Sequence, residues 1–507
     1  MVDPRPSLDS LLAGCEGVVG LQGDGELRPT AVVEDSRDAV PGSLFVARPG
    51  SSDDGTRFLE SAVERGATAV LVGAGAPVPG SVARRVAACV RAEDPAGLGS
   101  ELAHRFHGSP AASLPVVAVT GTNGKTTVAW FVRALFAAAG RRCGLVGTIE
   151  VDDGATHTPA ALTTPSSCDL AAMLARMVAN DCDSVVLEAS SHAQHQRRLR
   201  GIRPQVAVFT NLSGDHLDYH GSTEAYAAAK ASLFGMLAED GCAVVNADDP
   251  AHRRMLEERP PRVVRCSLHD AAADARARIL ATDRTGMRLR FEGTCGEGEV
   301  HVPLVGRHNA ENLLLALAAL GALGLDPTPW LPALEHLDAP PGRLEPVTSP
   351  EDPFSVLVDY AHTDDALRNV LTAVRPLVPE SGRLTVLFGC GGDRDRSKRP
   401  RMADVACSIA DRVVVTSDNP RTESPEGIVE EILRGVPEGS RDRVTREVDR
   451  DRAIRRAVGE AIPGEIVVIA GKGHEDYQIL GTRRRPFDDR LVARAALEDG
   501  GCRACPS

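Results

Sequence analysis

The chain has 507 residues, 43% of them hydrophobic and 25% charged, a globular composition that excludes a collagen, a disordered tail protein and a disulfide mini-scaffold. With 70 acidic against 57 basic residues the net charge is −13, which disfavours a nucleic-acid-binding surface but leaves local cationic loops free to hold anionic ligands. Aromatics reach only 3%, so the cores must rest on Ala, Val and Leu, and the 12 scattered cysteines read as reduced thiols of a cytoplasmic protein.

In chain order, MVDPRPSLDSLL lacks the basic start and apolar stretch of a signal peptide. Residues 1–112 read as a small α/β unit, with strands over 42–47 and 68–73 around a helix over 56–67. A second unit, 113–339, opens with LPVVAVTGTNGKTTVAWFVRALFAAAG, a buried strand, a glycine-rich turn and an amphipathic helix. Further apolar strands over 184–189, 206–211 and 241–249 alternate with helices, which predicts a parallel, doubly wound sheet. The longest apolar run, 313–325, has 13 residues where a membrane span needs about 20, so it predicts a buried helix. After a Pro-rich break over 337–347, a third unit, 340–507, repeats the pattern with strands over 354–362, 383–392, 412–420 and 465–475. Each strand runs into a polar or glycine-rich turn, where open α/β sheets bind ligands. The expected architecture is three α/β domains, the central one P-loop-like with a parallel sheet and the last Rossmann-like. No heptad or apolar strip predicts an oligomer or a membrane contact, so a monomer is expected. The tail pair Cys502 and Cys505 reads as a frayed end, not a metal site.

The turn TGTNGKTT meets the needs of a phosphate loop. Gly121 and Gly124 let backbone N–H groups approach an anion, and Thr122, Asn123 and Thr127 complete the cradle. Lys125 would neutralise the β- and γ-phosphates and Thr126 would place its hydroxyl on Mg²⁺. The strict motif fails at its first position, Val119, but strand, GKT and helix together predict nucleotide binding. Two later segments also follow strands. SVVLEASSH ends at Glu188, either a Mg²⁺ ligand or an exposed strand-end carboxylate. TNLSGDHLDYHG packs Asp215, His216, Asp218 and His220 into six residues, and His216 is placed to ligate a second cation. Lys230 follows on a helix; on its residues alone it reads as a solvated lysine. GCGG (389–392) lacks full dinucleotide-fingerprint spacing and predicts a tight turn.

TGTNGKTT, EASSH, TNLSGDHLDYHG and AYAAAK, in this order, resemble the Mur ligase family. GRHNAENLLLA, PPGRLE, DYAHTDDAL, GCGGDRDRSKRP, SDNPR, AGKGHEDYQ and DSRDAVPGSLFVARPG extend the likeness over nearly the whole chain. It implies an enzyme that uses ATP to join an amino acid to a nucleotide-linked peptidoglycan precursor. The first domain would hold UDP, the central one ATP, and the last the amino acid. It implies two Mg²⁺ ions, with Thr126, Glu188 and His216 as ligands. It also implies that Lys230 is carbamylated by CO₂ to N6-carboxylysine, a carboxylate-like fourth ligand. Ser36 would contact the UDP moiety; Thr163, Thr164, Ser190, Gln196 and Arg198 the muramoyl-peptide, UDP-N-acetylmuramoyl-L-Ala-D-Glu. Asn309 and Arg343 would border the nucleotide, and His362 would lie near the interdomain cleft.

DNPR (418–421) resembles the members that add meso-2,6-diaminopimelate. Its distal carboxylate calls for a guanidinium and its distal ammonium for carboxylate or carbonyl acceptors. Asp418, Asn419, Pro420 and Arg421, with Arg394, Gly471 and Glu475 on neighbouring loops, supply both. Asp364, where the family has proline, and Ser166 depart from the usual pattern and leave the acceptor open. A lysine-adding homologue or a paralogous amide ligase of specialised metabolism are the rivals. Intact GKT, Glu188, His216 and Lys230 argue against a silent nucleotide-binding scaffold.

Overall fold

The computed structural model describes residues 5–50, 54–349 and 351–499; Cys502 and Cys505 lie outside the described residues. Three main sheets follow one another along the chain. The first has five strands in the spatial order Val18–Gly23, Ala88–Ala92, Ala69–Gly73, Leu44–Val46 and Val32–Val33, parallel except for its first pair. Helix Pro95–Phe106 covers one face, started by Pro95 in its first turn and by the Asp94 carboxylate accepting from Gly97 N–H at 2.9 Å.

His104 on this helix is 1% exposed, and neither ring nitrogen has a hydrogen-bond partner. Gly201 packs against its ring, where a Cβ would stand 2.9 Å from His104 Cδ2. Burial pushes its pKa down to about 4. The unfolded chain therefore takes up a proton on this group below about pH 6.5 while the folded chain does not, so stability falls as pH drops from there to about 4. The loss is expected to be on the order of 3 kcal/mol. His104→Leu should flatten the acid side of a Tm-against-pH curve and cost nothing at pH 7.5, because the imidazole makes no hydrogen bond there.

The second sheet has eleven strands. Its centre is parallel, in the order Cys143–Val146, Ser184–Glu188, Val116–Thr120, Val206–Phe209, Cys242–Asn246 and Arg262–Ser267. The middle four of these strands are buried at every position, which is why they read as unbroken apolar runs. The parallel sheet expected from the sequence forms this centre, and antiparallel strands extend it at both edges. Ala275–Asp283, Gly286–Gly293 and Gly298–Val302 add an antiparallel meander on one side, and Glu150–Asp152 and His157–Pro159 add two antiparallel strands on the other. In the meander, buried Met287, Leu289 and Phe291 alternate with exposed arginines, the pattern of a sheet wet on one face. Helix Arg307–Ala322 is buried through Leu313–Leu320, as the apolar run predicts. It shares a core with helix Lys125–Ala138, and both tryptophans, Trp130 and Trp330, pack against that core.

The third sheet runs Glu345–Pro346, Ser355–Asp359, Ile466–Ala470, Leu384–Phe388, Arg412–Val415 and Val444–Arg446, parallel but for the first strand. A hairpin, Tyr477–Leu480 with Arg483–Pro486, lies beside its carboxyl ends. Among the described residues no helix is long and apolar enough to cross a membrane, and all ten described cysteines are free.

Candidate active site

Strand Val116–Thr120 delivers its buried carboxyl end into the glycine loop, and helix Lys125–Ala138 starts at once. Gly124 caps that helix at φ +84°, and a Cβ there would stand 2.5 Å from Asn312 Oδ1, so glycine is required. The loop is held from the next strand: Asn123 N–H donates to Asn211 Oδ1 at 2.9 Å, and Thr210 Oγ1 donates to the Asn123 carbonyl at 2.6 Å. Lys125 Nζ folds back onto the carbonyls of Gly121 (3.0 Å) and Thr122 (2.9 Å). Burial lowers its pKa, opposed by Glu188 and Asp215.

Glu188 is 1% exposed, so it is not a solvated strand-end carboxylate. Its Oε2 accepts from the Thr126 and Thr148 hydroxyls, each at 3.0 Å, and its Oε1 from Thr148 N–H at 2.7 Å. Lys230 also corrects the reading from its residues alone. It sits on helix Thr223–Ala231 but is 1% exposed, with Nζ donating to the Gly121 carbonyl at 2.7 Å and lying 4.3 Å from the Tyr226 ring centre. Burial pushes its pKa well below the usual lysine value, and neighbouring Lys125 pushes the same way. His216 is more exposed, its ring 4.8 Å from that of His192. Among the described residues no three His, Cys, Asp or Glu side chains converge as a ready-made metal cage. Thr126 and Glu188 instead form a hard-oxygen pair beside the phosphate loop, which fits an ion that takes few protein ligands and fills its shell from phosphates and water.

These groups open on a cavity of about 800 Å³ between the second and third units, lined by Thr122–Thr127, Glu188, His216, Asn309 and Arg343. The third unit supplies Tyr360, His362 and Asp365 to its wall. Among the described residues, side-chain hydrogen bonds cross the cleft from Asn123 Nδ2 to Asp365 Oδ2 at 3.3 Å and from Arg343 Nη2 to Thr126 Oγ1 at 3.4 Å. Arg343 also stacks on Tyr360, 4.7 Å from the ring centre. Burial lowers the His362 pKa to about 4, so it is neutral at pH 7. Asp364, the departure from proline, pairs with Arg401 at 3.1 Å.

The residues expected at the muramoyl-peptide form one hydrogen-bonded group. Thr164 Oγ1 donates to the Glu188 carbonyl at 2.6 Å and lies 3.1 Å from Ser190 Oγ. Arg198 reaches Gln196 Oε1 at 2.6 Å and the Thr164 carbonyl at 2.8 Å. Thr163 Oγ1 is 3.0 Å from Thr148 Oγ1 and lines the cavity. Ser36 is buried in the turn Ser36–Asp38 of the first unit, two residues after Glu34. The sequence reading missed how these units join. Glu34 accepts from Ser167 N–H at 2.8 Å, and Arg48 bridges Glu34 to the Gln196 carbonyl. It also assigned no role to Asn211 and Tyr226, although both lie in quoted segments, and missed Thr148, which lies in none.

In the third unit, Asp418, Asn419, Pro420 and Arg421 follow strand Arg412–Val415, and Gly471 and Glu475 follow Ile466–Ala470. Asn419 Nδ2 donates to Glu475 Oε2 at 2.8 Å. Gly471 adopts φ +116°, and a Cβ there would lie 2.7 Å from Asp418 Oδ2. Arg421 donates to the Gly392 carbonyl at 2.8 Å. A Cβ at Gly391 would stand 3.0 Å from Arg421 Nη1 and 3.8 Å from Arg394 Cγ, so both arginines border this tight turn. Behind them, fully buried Arg450 pairs with Asp489 at 2.7 Å and donates to the carbonyls of Ser417 (3.2 Å) and Ala470 (2.9 Å). It pins the two strand ends that carry the site. Arg450→Met would strand the Asp489 charge, and a loss of about 3–5 kcal/mol is expected in urea unfolding followed by far-UV circular dichroism.

A strand, glycine loop and helix facing a carboxylate, with a second α/β unit closing the cavity, define a P-loop α/β protein. The Mur ligase middle domain matches residues 119–320, and the Mur ligase glutamate ligase domain matches residues 342–473. The UDP-N-acetylmuramoyl-L-alanyl-D-glutamate–2,6-diaminopimelate ligase of Synechococcus elongatus is 43% identical over 94% of this chain and 95% of its own. The protein of the same name from Gloeobacter violaceus is 44% identical over 91% and 92%. A solved structure of a UDP-N-acetylmuramoyl-L-alanyl-D-glutamate–2,6-diaminopimelate ligase superposes with a TM-score of 0.67 at 33% identity, covering 98% of this chain and 99% of that one. The chain belongs to the Mur ligase family.

Proposed function

We propose that this protein is a cytoplasmic, ATP-dependent, ADP-forming ligase of peptidoglycan precursor synthesis. It joins meso-2,6-diaminopimelate to the D-glutamyl carboxylate of UDP-N-acetylmuramoyl-L-Ala-D-Glu. Residues 1–112 hold the UDP end, 113–339 bind ATP and 340–507 bind the amino acid. The observation that carries this reading is the third-unit site, where Arg421 and Arg394 border the Gly391 turn beside the Asn419 carbonyl, and Asn419 pairs in turn with Glu475. An amino-acid head with both a carboxylate and an ammonium finds partners for each. The names of relatives at 43–44% identity point the same way.

The D-glutamyl carboxylate attacks the γ-phosphate, giving an acyl phosphate and ADP. The deprotonated diaminopimelate amine then attacks the acyl carbon, and the tetrahedral adduct collapses to amide and phosphate. The chain's residues position and neutralise charge. Lys125 leaves the loop carbonyls for the phosphates, Arg343 approaches from the third unit, and backbone N–H groups of residues 121–127 cradle the anion. Thr164, Ser190, Gln196 and Arg198 hold the peptide. Thr126, Glu188, His216 and carbamylated Lys230 are the residues that would hold two Mg²⁺ ions, which lower the repulsion between ATP and the attacking carboxylate. The buried, low-pKa Lys230 amine suits carbamylation, because the neutral amine is the form that adds to CO₂. Closure of the third unit over the cavity excludes water from the acyl phosphate.

The test is phosphate release with ATP, Mg²⁺ and UDP-N-acetylmuramoyl-L-Ala-D-Glu, with meso-diaminopimelate or L-lysine in parallel and the product mass determined. Turnover with diaminopimelate alone is expected. Turnover with lysine would keep the reaction and overturn the amino-acid assignment.

A further inference from the structure

Lys472 belongs to the segment AGKGHEDYQ but has no part in the mechanism above. Its side chain is wholly buried. The ammonium lies 2.9 Å from Glu475 Oε2, 3.3 Å from Asn419 Oδ1 and 3.8 Å from Asp418 Oδ1. It therefore touches or faces all three side chains that offer acceptors to the amino acid. Asn419 is fixed twice more, by Ile479 N–H at 2.9 Å on its oxygen and by Glu475 on its nitrogen. Asp418 and Asn419 are about as buried as core residues, at 6% and 5% exposure. Two carboxylates gathered in such a place repel each other unless a cation stands between them.

We propose that Lys472 is a positioning residue of the amino-acid site. It draws Asp418, Asn419 and Glu475 into one acceptor array and cancels one of the two negative charges, so that the array has a net charge of −1. That is the charge which takes one further ammonium, the distal ammonium of the incoming amino acid, and no more. Because Lys472 reaches these groups from the buried side, the substrate ammonium meets them from the open side. Without Lys472 the carboxylates separate, Asn419 loses a partner on its oxygen, and the array no longer matches a single ammonium.

This inference rests on the proposed diaminopimelate-adding activity, and the experiment separates the two. Wild type, Lys472→Met and Lys472→Arg are compared for Tm, kcat and the KM of each of the three substrates. Lys472→Met should raise the KM for meso-diaminopimelate by about ten- to a hundredfold, as expected for the loss of a hydrogen-bonded charged partner. The KM values for ATP and the UDP-linked dipeptide should stay within about twofold of wild type, since those sites lie on other loops. Lys472→Arg, which keeps the charge, should recover part of the loss. If Lys472→Met does not fold, Lys472→Gln, which keeps a donor but no charge, carries the same expectation. An unchanged KM for diaminopimelate, or an equal rise in all three KM values, would overturn the role of Lys472. Failure of the wild type itself to turn over diaminopimelate would instead overturn the activity on which the inference rests.

Discussion

Replacing Lys230 with alanine is expected to reduce kcat by at least about a hundredfold, the cost of losing one group that stabilises developing charge in a buried site. The variant should fold, since alanine is the best helix former and the lost hydrogen bond ends on one loop carbonyl. If the lysine acts as its carbamate, a small added carboxylate such as formate or acetate should restore part of the activity, because it can occupy the space left by the side chain. Depleting dissolved CO₂ and bicarbonate should slow the wild type and leave the rescued variant unaffected. Wild-type rates in Lys230→Ala would remove the carbamate from the mechanism. The geometry explains why this position is sensitive. Lys230 and Lys125 share the Gly121 carbonyl, so protonating both would set two cations together beneath the phosphate loop. A carbamate on Lys230 would avoid that repulsion and supply the oxygen donors that the Thr126 and Glu188 pair lacks.

The second large effect falls on Arg421. Arg421→Ala should lower kcat/KM for meso-diaminopimelate by about thirtyfold to a few thousandfold, the range for removing one partner of a desolvated charge pair. Activity with L-lysine, which has no distal carboxylate, should change little, so the selectivity between the two collapses from one side only. Arg421→Lys should be nearly as poor as alanine, because a point charge cannot reproduce the planar two-pronged contact. Arg421 lies at φ +51°, and all three residues bear the same strain there, so the comparison reports on the head group. Parallel measurements with ATP alone should show nucleotide binding intact.

Much of this site was legible in the sequence because glycines and strand ends mark it. TGTNGKTT, DNPR and GKGHE each follow a buried strand, and the structure places each at a carboxyl end. What the sequence concealed was burial. Lys230 lies on a helix of alanines, whose small side chains give no sign that the lysine faces inward. Glu188 could have been solvated, and only the fold brings Thr126 and Thr148 onto its oxygens. Arg450 and Asp489 are 39 residues apart, and neither belongs to a motif, so their pairing behind Asp418 and Gly471 had no local signal. The meander over 275–302 was missed because arginines alternate with aliphatic residues there, diluting a strand signal that the parallel core shows as unbroken Val and Ala.

Both tryptophans lie against the core of the central unit, and this governs how the stability of the protein can be observed. Indole emission on heating or in urea registers that unit alone. The Arg450→Met change lies in the third unit and His104→Leu in the first, so the loosening expected of the one and the acid resistance expected of the other could both arise while the fluorescence trace stays still. Calorimetry, or circular dichroism summed over all three sheets, would register both. A gap between the optical and calorimetric midpoints would measure how independently the three units melt.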